Sequence, residues 1–399
     1  MDLLACPECG AFPLEITNFK TEADPPRAMK GPRCSAWCSW LQGSPPPAAP
    51  CSECYAVEIT EGMLRCNQCH AEYPVVDGIP RFNPDADRDF PEFFRQYAAR
   101  FSKVRSDVAE FRKLHDETKQ SFGFQWLRYR VSEHQENREH FFRRTETDAA
   151  SLAGRLFFEA GCGMGRYLKV IGDEPMAEAV GLDLSRAVER ARSENRQNPF
   201  IHVIQGNIMQ LPLRPETFDH VYSIGVLHHT PDTKAAFLSI VRLAKPGGRV
   251  SIWVYHVWRP PDLTGFKALH ATLTGWITDG VRIVTTRLPF RVLNALCYIA
   301  APLGWVQRRI MASPEAVRVV CSPVLLLYCS RHPQWRVRLL DTFDWYSPRY
   351  QWKHTVAEVE GWYREAGLTQ ISSKGFPVSV RGTRPNAASR ADGPRRPIE

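Results

Sequence analysis

Five short apolar runs, at 155–159, 177–182, 201–205, 218–224 and 248–255, alternate with helix-like segments across the middle of the chain. Strands this short, each followed by a helix, bury their side chains by lying parallel with helices on both faces. The pattern therefore predicts an α/β fold with a doubly wound, Rossmann-like sheet. The first run leads into Glu159-Ala-Gly161-Cys162-Gly163-Met-Gly165, three alternating glycines where a strand gives way to a helix. Glycine lets the backbone turn tightly and approach a ligand closely. About 20 residues beyond that loop, Val180-Gly-Leu-Asp183-Leu184 sets a carboxylate at the end of the second run, placed to take both hydroxyls of a ribose.

A glycine loop by itself also suits a turn that binds nothing, but the residues that follow narrow the choice. Gly206-Asn207-Ile208 follows the third run, Phe218-Asp-His-Val opens the fourth, and Ile224-Gly-Val-Leu-His228-His229 closes it. Over about residues 150–255 this series resembles the class I S-adenosylmethionine-dependent methyltransferases of the methyltransferase type 11 group. The resemblance implies a seven-stranded sheet with one antiparallel edge strand, and S-adenosyl-L-methionine lying across the strand ends. Carried over by position, Glu159 faces the methionine amino group, Gly161 and Gly163 line the loop, Asp183 holds the ribose, and Asn207 and Ile208 flank the adenine. Cys162, Gly165, Leu184 and Ile224 are counted with them as cofactor-binding.

Two positions depart from that family, which usually carries Asp where this chain has Glu159 and again where it has Asn207. The amide at Asn207 still offers an oxygen acceptor, so binding is expected to survive both changes. A nicotinamide-binding Rossmann domain is the competing reading. The acid before the glycines and the paired histidines after the fourth run disfavour it.

His228 and His229 are the candidate general bases, needed only if the acceptor must lose a proton. The bland reading makes either one a structural residue of its loop. Neither an Asn-Pro-Pro-Tyr nor an Asp-Pro-Pro-Tyr stands there, which argues against methylation of exocyclic base amines, and Lys245-Pro-Gly-Gly248 reads as a turn.

Eight of the twelve cysteines precede residue 70, in close pairs. Cys6 with Cys9, and Cys66 with Cys69, have the knuckle spacing that tetrahedral zinc requires; Cys34, Cys38, Cys51 and Cys54 form a second potential set. One or two structural zinc ions are expected, with His70 outside the ligand set. The run from Gly62 to Phe82 resembles the Trm112-like zinc ribbon, over residues 1–9 and about 57–82 with 20–54 as an insertion. That resemblance implies a scaffold for the catalytic domain, since four thiolates leave a zinc no open position.

The expected organisation is a ribbon over 1–82, a helical linker packing on the catalytic domain over 83–150, a methyltransferase domain over 151–382 and a disordered tail over 383–399. Within the third piece, 256–350 interrupts the strand–helix rhythm with apolar and basic segments. Neither apolar run in 288–328 reaches the ~20 residues of a membrane span. A helical lid over the acceptor is the favoured reading, and a peripheral membrane contact through 288–328 the sharper alternative. Asp341, Asp344, Tyr346 and Arg349 after the lid, with His354, are candidates to face the acceptor.

A net charge of +8 spread along the chain is compatible with nucleic acid, an anionic surface or an acidic substrate, and selects none. The first residues carry no positive n-region or apolar h-region, so a cytoplasmic location is expected. The reading reached is a methyltransferase acting on a small-molecule or lipid-like acceptor. An RNA methyltransferase that grips its substrate with the ribbon is the alternative, and a non-catalytic partner subunit comes third. The sequence does not address oligomeric state.

Overall fold

The computed structural model describes residues 2–23, 34, 38, 41, 43–46, 51–101, 108–129, 133–257, 263–374 and 378–386. Most of the expected disordered tail, 387–399, lies outside the described residues. The N-terminal module contains β1 (Glu15–Ala23), the single turn α1 (Cys51–Cys54), β2 (Val57–Arg65), β3 (Glu72–Val76) and β4 (Ile79–Pro80). These strands form an antiparallel sheet in the order β1-β2-β3-β4. Asp77 and Gly78, both at positive φ, make the two-residue reversal between β3 and β4, the backbone that an Asp-Gly pair accommodates at least strain.

Next come α2 (Ala86–Asp89), α3 (Pro91–Gln96), α4 (Val108–Arg128) and α5 (His134–Thr145). The aromatic residues Phe93, Phe94, Tyr97 and Phe101 do not join the core of the following α/β domain. They close on Phe19 of β1 and Val76 of β3 in a satellite cluster against the ribbon.

The α/β domain follows the predicted rhythm: β5 (Leu156–Ala160), α6 (Arg166–Gly172), β6 (Glu178–Asp183), α7 (Ala187–Asn195), β7 (Ile201–Gln205), β8 (Phe218–Ile224), α8 (Thr233–Val241) and β9 (Ala244–Trp253). An insertion then supplies α9 (Gly265–Thr285), α10 (Phe290–Met311), α11 (Glu315–Val320) and α12 (Trp335–Tyr346), before α13 (Val356–Glu365), β10 (Thr369–Ser372) and β11 (Ser379–Thr383). Strand order is β10-β11-β9-β8-β5-β6-β7, with β5 to β9 parallel. The order reverses between β5 and β8, which opens a crevice at their C-terminal ends.

Two local expectations change. The antiparallel strand is β11, and it stands inside the sheet between β9 and β10 rather than at the edge. Burial explains the placement, because Val380 of β11 is fully enclosed while β10 is half exposed. Lys245-Pro-Gly-Gly248 is also no separate turn. It lies within β9, where the register slips between the Phe218 and His220 pairings and Gly247 takes φ +78.

Ribbon and catalytic sheet share one apolar core, in which Leu4, Leu64, Cys66, Tyr73 and Phe82 pack with Val180, Ile204, Ile208 and Leu211. Ala5 N–H donates to Pro212 O at 3.0 Å and Arg214 N–H to Leu3 O at 3.0 Å. Arg81 pairs in parallel with Gln205 at the end of β7, so the ribbon extends that edge of the sheet. Its guanidinium is fully buried, donates to Gln205 Oε1 at 3.1 Å and to Val76 O at 3.3 Å, and covers the Phe90 ring at 4.3 Å. Burial pushes its pKa down to about 10, against the pull of Glu189 3.9 Å away.

Buried arginines likewise fasten the insertion. Arg282 of α9 donates to Pro348 O at 2.7 Å and to Trp345 O, and Arg338 of α12 donates to His332 O at 2.8 Å and Ala301 O at 3.4 Å. No helix among the described residues is long and apolar enough to cross a membrane.

Candidate active site and zinc centre

A cavity of about 510 Å³ opens at the crevice and runs from the glycine loop to α12. Its first half is the loop after β5. Gly161, at φ +81, lies against Val226, whose Cγ1 would stand 2.3 Å from any Cβ added there. Gly163, at φ +51, faces the Trp126 indole of α4, and Gly161 N–H donates to Leu182 O at 2.7 Å. A side chain at either glycine would press on Val226 or Trp126, so the loop needs glycine to keep this backbone shape beside the cavity.

Asp183 organises the same loop. Its Oδ2 accepts from Gly163 N–H at 2.9 Å, and its Oδ1 accepts from Ser185 N–H at 2.8 Å and Ser185 Oγ–H at 2.7 Å. Two carboxylate oxygens have about four acceptor directions, so capacity remains for a hydroxyl. Burial raises the Asp183 pKa while those three donors oppose the rise. Glu159 is buried beneath the loop and accepts from Tyr222 Oη–H at 3.1 Å. Burial raises its pKa well above the ordinary value, a state that a cationic ligand group would relieve.

Asn207 lines the wall, held through Oδ1 by Met209 N–H at 2.9 Å and through Nδ2 by His115 at 3.2 Å, and Cys162, Leu184, Ile208 and Ile224 line it too. The donor set, an acid under the loop, an acid at the second strand end and an apolar slot at the third, fits a cationic ribonucleoside such as S-adenosyl-L-methionine. Asp183→Ala is expected to weaken S-adenosylhomocysteine binding by roughly 2–3 kcal/mol in calorimetric titration. An unchanged Kd would remove Asp183 from the site.

Of the residues expected at the cofactor and histidine positions, two do not line the cavity. Gly165 packs instead: a Cβ there would stand 2.9 Å from Asn195 Nδ2 and 3.0 Å from Ala191 Cβ, so its missing side chain lets α6 approach α7. His228 is fully buried against Tyr255, ring centroids 3.9 Å apart, and neither ring nitrogen has a hydrogen-bond partner. Leu227–His229 is one 3-10 turn, whose neighbouring side chains point about 120° apart, so only one of the paired histidines reaches the cavity. That one is His229. Its Nδ1–H donates to Tyr350 O at 2.7 Å, which leaves Nε2 as the lone-pair nitrogen, without a partner. Burial lowers its pKa, so the ring is neutral at physiological pH.

The other half of the cavity is aromatic and acidic. Tyr255 stacks on Trp345 at 4.9 Å and Tyr328 on Trp345 at 4.1 Å. Asp344 accepts from Tyr255 Oη–H at 2.7 Å and from Gln125 Nε2–H at 2.9 Å, and Asp341 accepts from Ser330 Oγ–H at 2.9 Å. Burial, with Asp344 nearby, raises the Asp341 pKa to about 6 against that one donor.

Tyr346, Arg349 and His354 lie elsewhere: Tyr346 Oη–H donates to Tyr328 O, Arg349 to Lys113 O, and His354 is held between Glu358 and Thr233. Sequence reasoning missed Trp126, Gln125, His140 and Arg144, which α4 and α5 bring to the wall, and Tyr255 and Tyr328. Their contacts cross long stretches of chain, and no local spacing marks them.

In the ribbon, Cys6, Cys9, Cys66 and Cys69 bring their sulfurs within 4.8 Å of one another. Two matching knuckles build the cluster. Cys6 N–H donates to Ala11 O and Gly10 N–H to Cys6 O, while Cys66 N–H donates to Ala71 O and His70 N–H to Cys66 O. Gly10 and His70 both take positive φ at the same point of the turn, so His70 shapes a knuckle and is not a ligand. The sulfurs of Cys6 and Cys69, and of Cys9 and Cys66, are 3.5 Å apart, close to the edge of about 3.8 Å that four Zn–S bonds impose. Tyr73 Oη lies 3.2 Å from Cys6 Sγ and supports the cluster from outside.

Cys34, Cys38, Cys51 and Cys54 are neighbours, since burial and the nearby Cys38 raise the pKa of both Cys34 and Cys54 and Cys51 adds to the latter, but their sulfurs do not gather within 4.8 Å of one another. Among the described residues the set of Cys6, Cys9, Cys66 and Cys69 is the only group of three or more metal-ligating side chains. Cys38 is tied instead by a two-way backbone bridge to Gly43, and Cys51 opens the single turn α1. Residues 35–37, 39–40, 42 and 47–50 between them lie outside the described residues.

Comparison with known proteins agrees with both halves. Residues 158–252 match the family described as a methyltransferase domain, and residues 1–78 match the Trm112p-like proteins. The 24-methylenesterol C-methyltransferase 2 of Arabidopsis thaliana is 31% identical over 109 residues, 26% of this chain and 29% of that protein. From the same plant, the tRNA (carboxymethyluridine(34)-5-O)-methyltransferase is 36% identical over 153 residues, 36% of either chain. The demethylmenaquinone methyltransferase of Anoxybacillus flavithermus is 38% identical over 100 residues, 24% of this chain and 40% of that one. The chain thus spans about a third of the length of the curated relatives it matches.

Proposed function

We propose that this chain, a methyltransferase domain joined to a Trm112-like zinc ribbon, transfers a methyl group from S-adenosyl-L-methionine to a small or lipid-like acceptor held beneath α12. The chamber of Tyr255, Tyr328 and Trp345 with Asp341 at its wall is the observation that carries this reading. S-adenosyl-L-methionine, when bound, supplies a methyl group activated by its sulfonium charge. Glu159, Asp183 and the glycine loop hold that cofactor, and the aromatic walls flatten the acceptor and exclude water.

Asp341 takes the acceptor's proton. With a pKa near 6 its carboxylate is formed at neutral pH and still basic enough to act. His229 lines the same cavity and packs against the acceptor, its ring fixed by Tyr350 O. Two relatives carry names of apolar substrates, a methylenesterol and demethylmenaquinone, in keeping with this chamber.

A second reading, methylation of RNA, is favoured by the similarity to a tRNA methyltransferase and by the net charge of +8. Incubating the protein with methyl-labelled S-adenosylmethionine and, separately, a lipid extract and total tRNA tests the two. Label in the solvent-extractable fraction is the expected result, and label in RNA alone would transfer the proposal to the second reading.

A further inference from the structure

The helices α9 and α10 are built inside out. On α9 the buried face carries Ala268, Thr274, Gly275, Thr278 and Arg282, while Phe266, Leu269, Trp276, Ile283 and Val284 are exposed, Trp276 by 73%. On α10, Leu293, Asn294, Cys297, Ala301, Gly304, Gln307 and Ile310 are buried, while Val292, Leu296, Ile299, Trp305 and Val306 are exposed, Ile299 by 76%. Val320 of α11 continues the pattern at 79%. A helix covering a water-soluble core turns its apolar stripe inward. Exposure on this scale, on consecutive helices, marks a contact surface rather than scattered surface residues.

The inward faces have their own structural reason. A Cβ on Gly304 would stand 2.1 Å from Ser330 O, so the glycine allows close approach. Gln307 Nε2 donates to Val324 O at 2.8 Å and Leu327 O at 2.7 Å, and Arg282 holds the loop after α12. Small and polar side chains, with Leu293 and Ile310 of α10, therefore fasten these helices to the protein, and most of the large apolar ones are left exposed.

Charge selects the occupant. Arg291, Arg308 and Arg309 are exposed on α10, which has no acid; Arg287 precedes it, and Lys267 stands on α9. The two acids of α9 and α11, Asp279 and Glu315, are each beside a lysine, at 2.9 Å and 3.6 Å. A second copy docked about a two-fold axis would set this cationic surface against itself. Anionic headgroups would neutralise it. Trp276, Trp305 and Tyr298 add rings with one apolar and one polar side, the residues that favour a membrane–water boundary, and the Arg309 guanidinium lies 5.0 Å from the Trp305 ring.

We infer that α9, α10 and α11 lie on an anionic lipid bilayer, with their apolar side chains at the acyl boundary and their arginines among the headgroups. The contact is interfacial, since no described helix can span. It goes beyond the proposed methyl transfer and stands without it, although α12, a wall of the acceptor chamber, packs directly on α10.

Flotation of the full chain with vesicles tests the inference, using phosphatidylcholine alone and phosphatidylcholine mixed with phosphatidylglycerol. The protein is expected to float with the mixed vesicles, to be released by salt, and to stay behind with the neutral ones. Trp276→Ser with Ile299→Ser, both on exposed positions and so expected to leave the thermal midpoint unchanged, should lower binding about tenfold or more. Arg308→Gln with Arg309→Gln should lower it chiefly at low salt. A wild-type protein that remains unbound to both vesicles overturns the inference, as does a dimer in sedimentation that the apolar double variant dissociates.

Discussion

Exchange of Cys66 for serine is expected to abolish cofactor binding at a cavity that no ribbon residue lines. The four thiols of Cys6, Cys9, Cys66 and Cys69 converge from two knuckles, so zinc binding adds its free energy to the packing of Leu4, Leu64 and Tyr73 in holding them together. For structural zinc sites that energy is on the order of 10 kcal/mol, comparable to the stability of a whole domain. Loss spreads because the core around the knuckles continues into the α/β sheet. Leu64, Cys66, Tyr73 and Phe82 pack with Ile204, Ile208 and Leu211, and the backbone of Ala5 bonds Pro212, just beyond the Asn207–Ile208 wall of the cofactor slot. Three measurements on one preparation check this: zinc content, expected to fall from one per chain to none, the thermal midpoint, and S-adenosylhomocysteine affinity. Zinc loss with unchanged affinity would show that the ribbon does not support the site.

Asp341→Asn is expected to lower the methyl-transfer rate by about 10²–10⁴, the range for removing a positioned general base, while leaving S-adenosylhomocysteine affinity near that of the wild type. The pH dependence gives a sharper test. In the wild type the rate should rise with pH through about 6 as the carboxyl ionises, and this limb should vanish in the variant. Stability moves the opposite way. Burial raises the folded pKa above the ordinary 3.8, so the folded state binds this proton more tightly than the unfolded state. The group's favourable contribution is full below about pH 4 and is lost as pH rises through 6. The asparagine variant should therefore be more stable than the wild type at pH 8, by at most about 3 kcal/mol. A variant that is slower with an unshifted pH profile would assign Asp341 a packing role.

Parts of this site are legible in the chain because they are local. Gly161 and Gly163 bracket a strand-to-helix turn, Asp183 closes the next strand, and each knuckle lies within six residues of sequence. Such features depend on backbone geometry and on spacing that neighbouring residues carry themselves. The histidine pair shows where this ends. His228 and His229 are alike in sequence, and the turn of one short 3-10 segment sends one into the core beside Tyr255 and the other to the cavity. Gly165 resembles its two neighbours in the motif yet serves α6 packing on α7.

The alternation of strands and helices, the glycine loop, the acid at Asp183 and the paired cysteine knuckles were determined by the sequence itself, since periodicity and chain reach specify them within a few residues. Only the tertiary structure decided that Cys6, Cys9, Cys66 and Cys69 converge, that β11 takes the inner place beside β9, and that α4, α5 and α12 wall one cavity. It also decided that α9 and α10 turn their apolar faces outward, which a helical period cannot reveal because the period is the same whichever face is buried. Each of these outcomes depends on which distant surfaces pack together, and that is set by the burial free energy of the whole chain rather than by any segment of it.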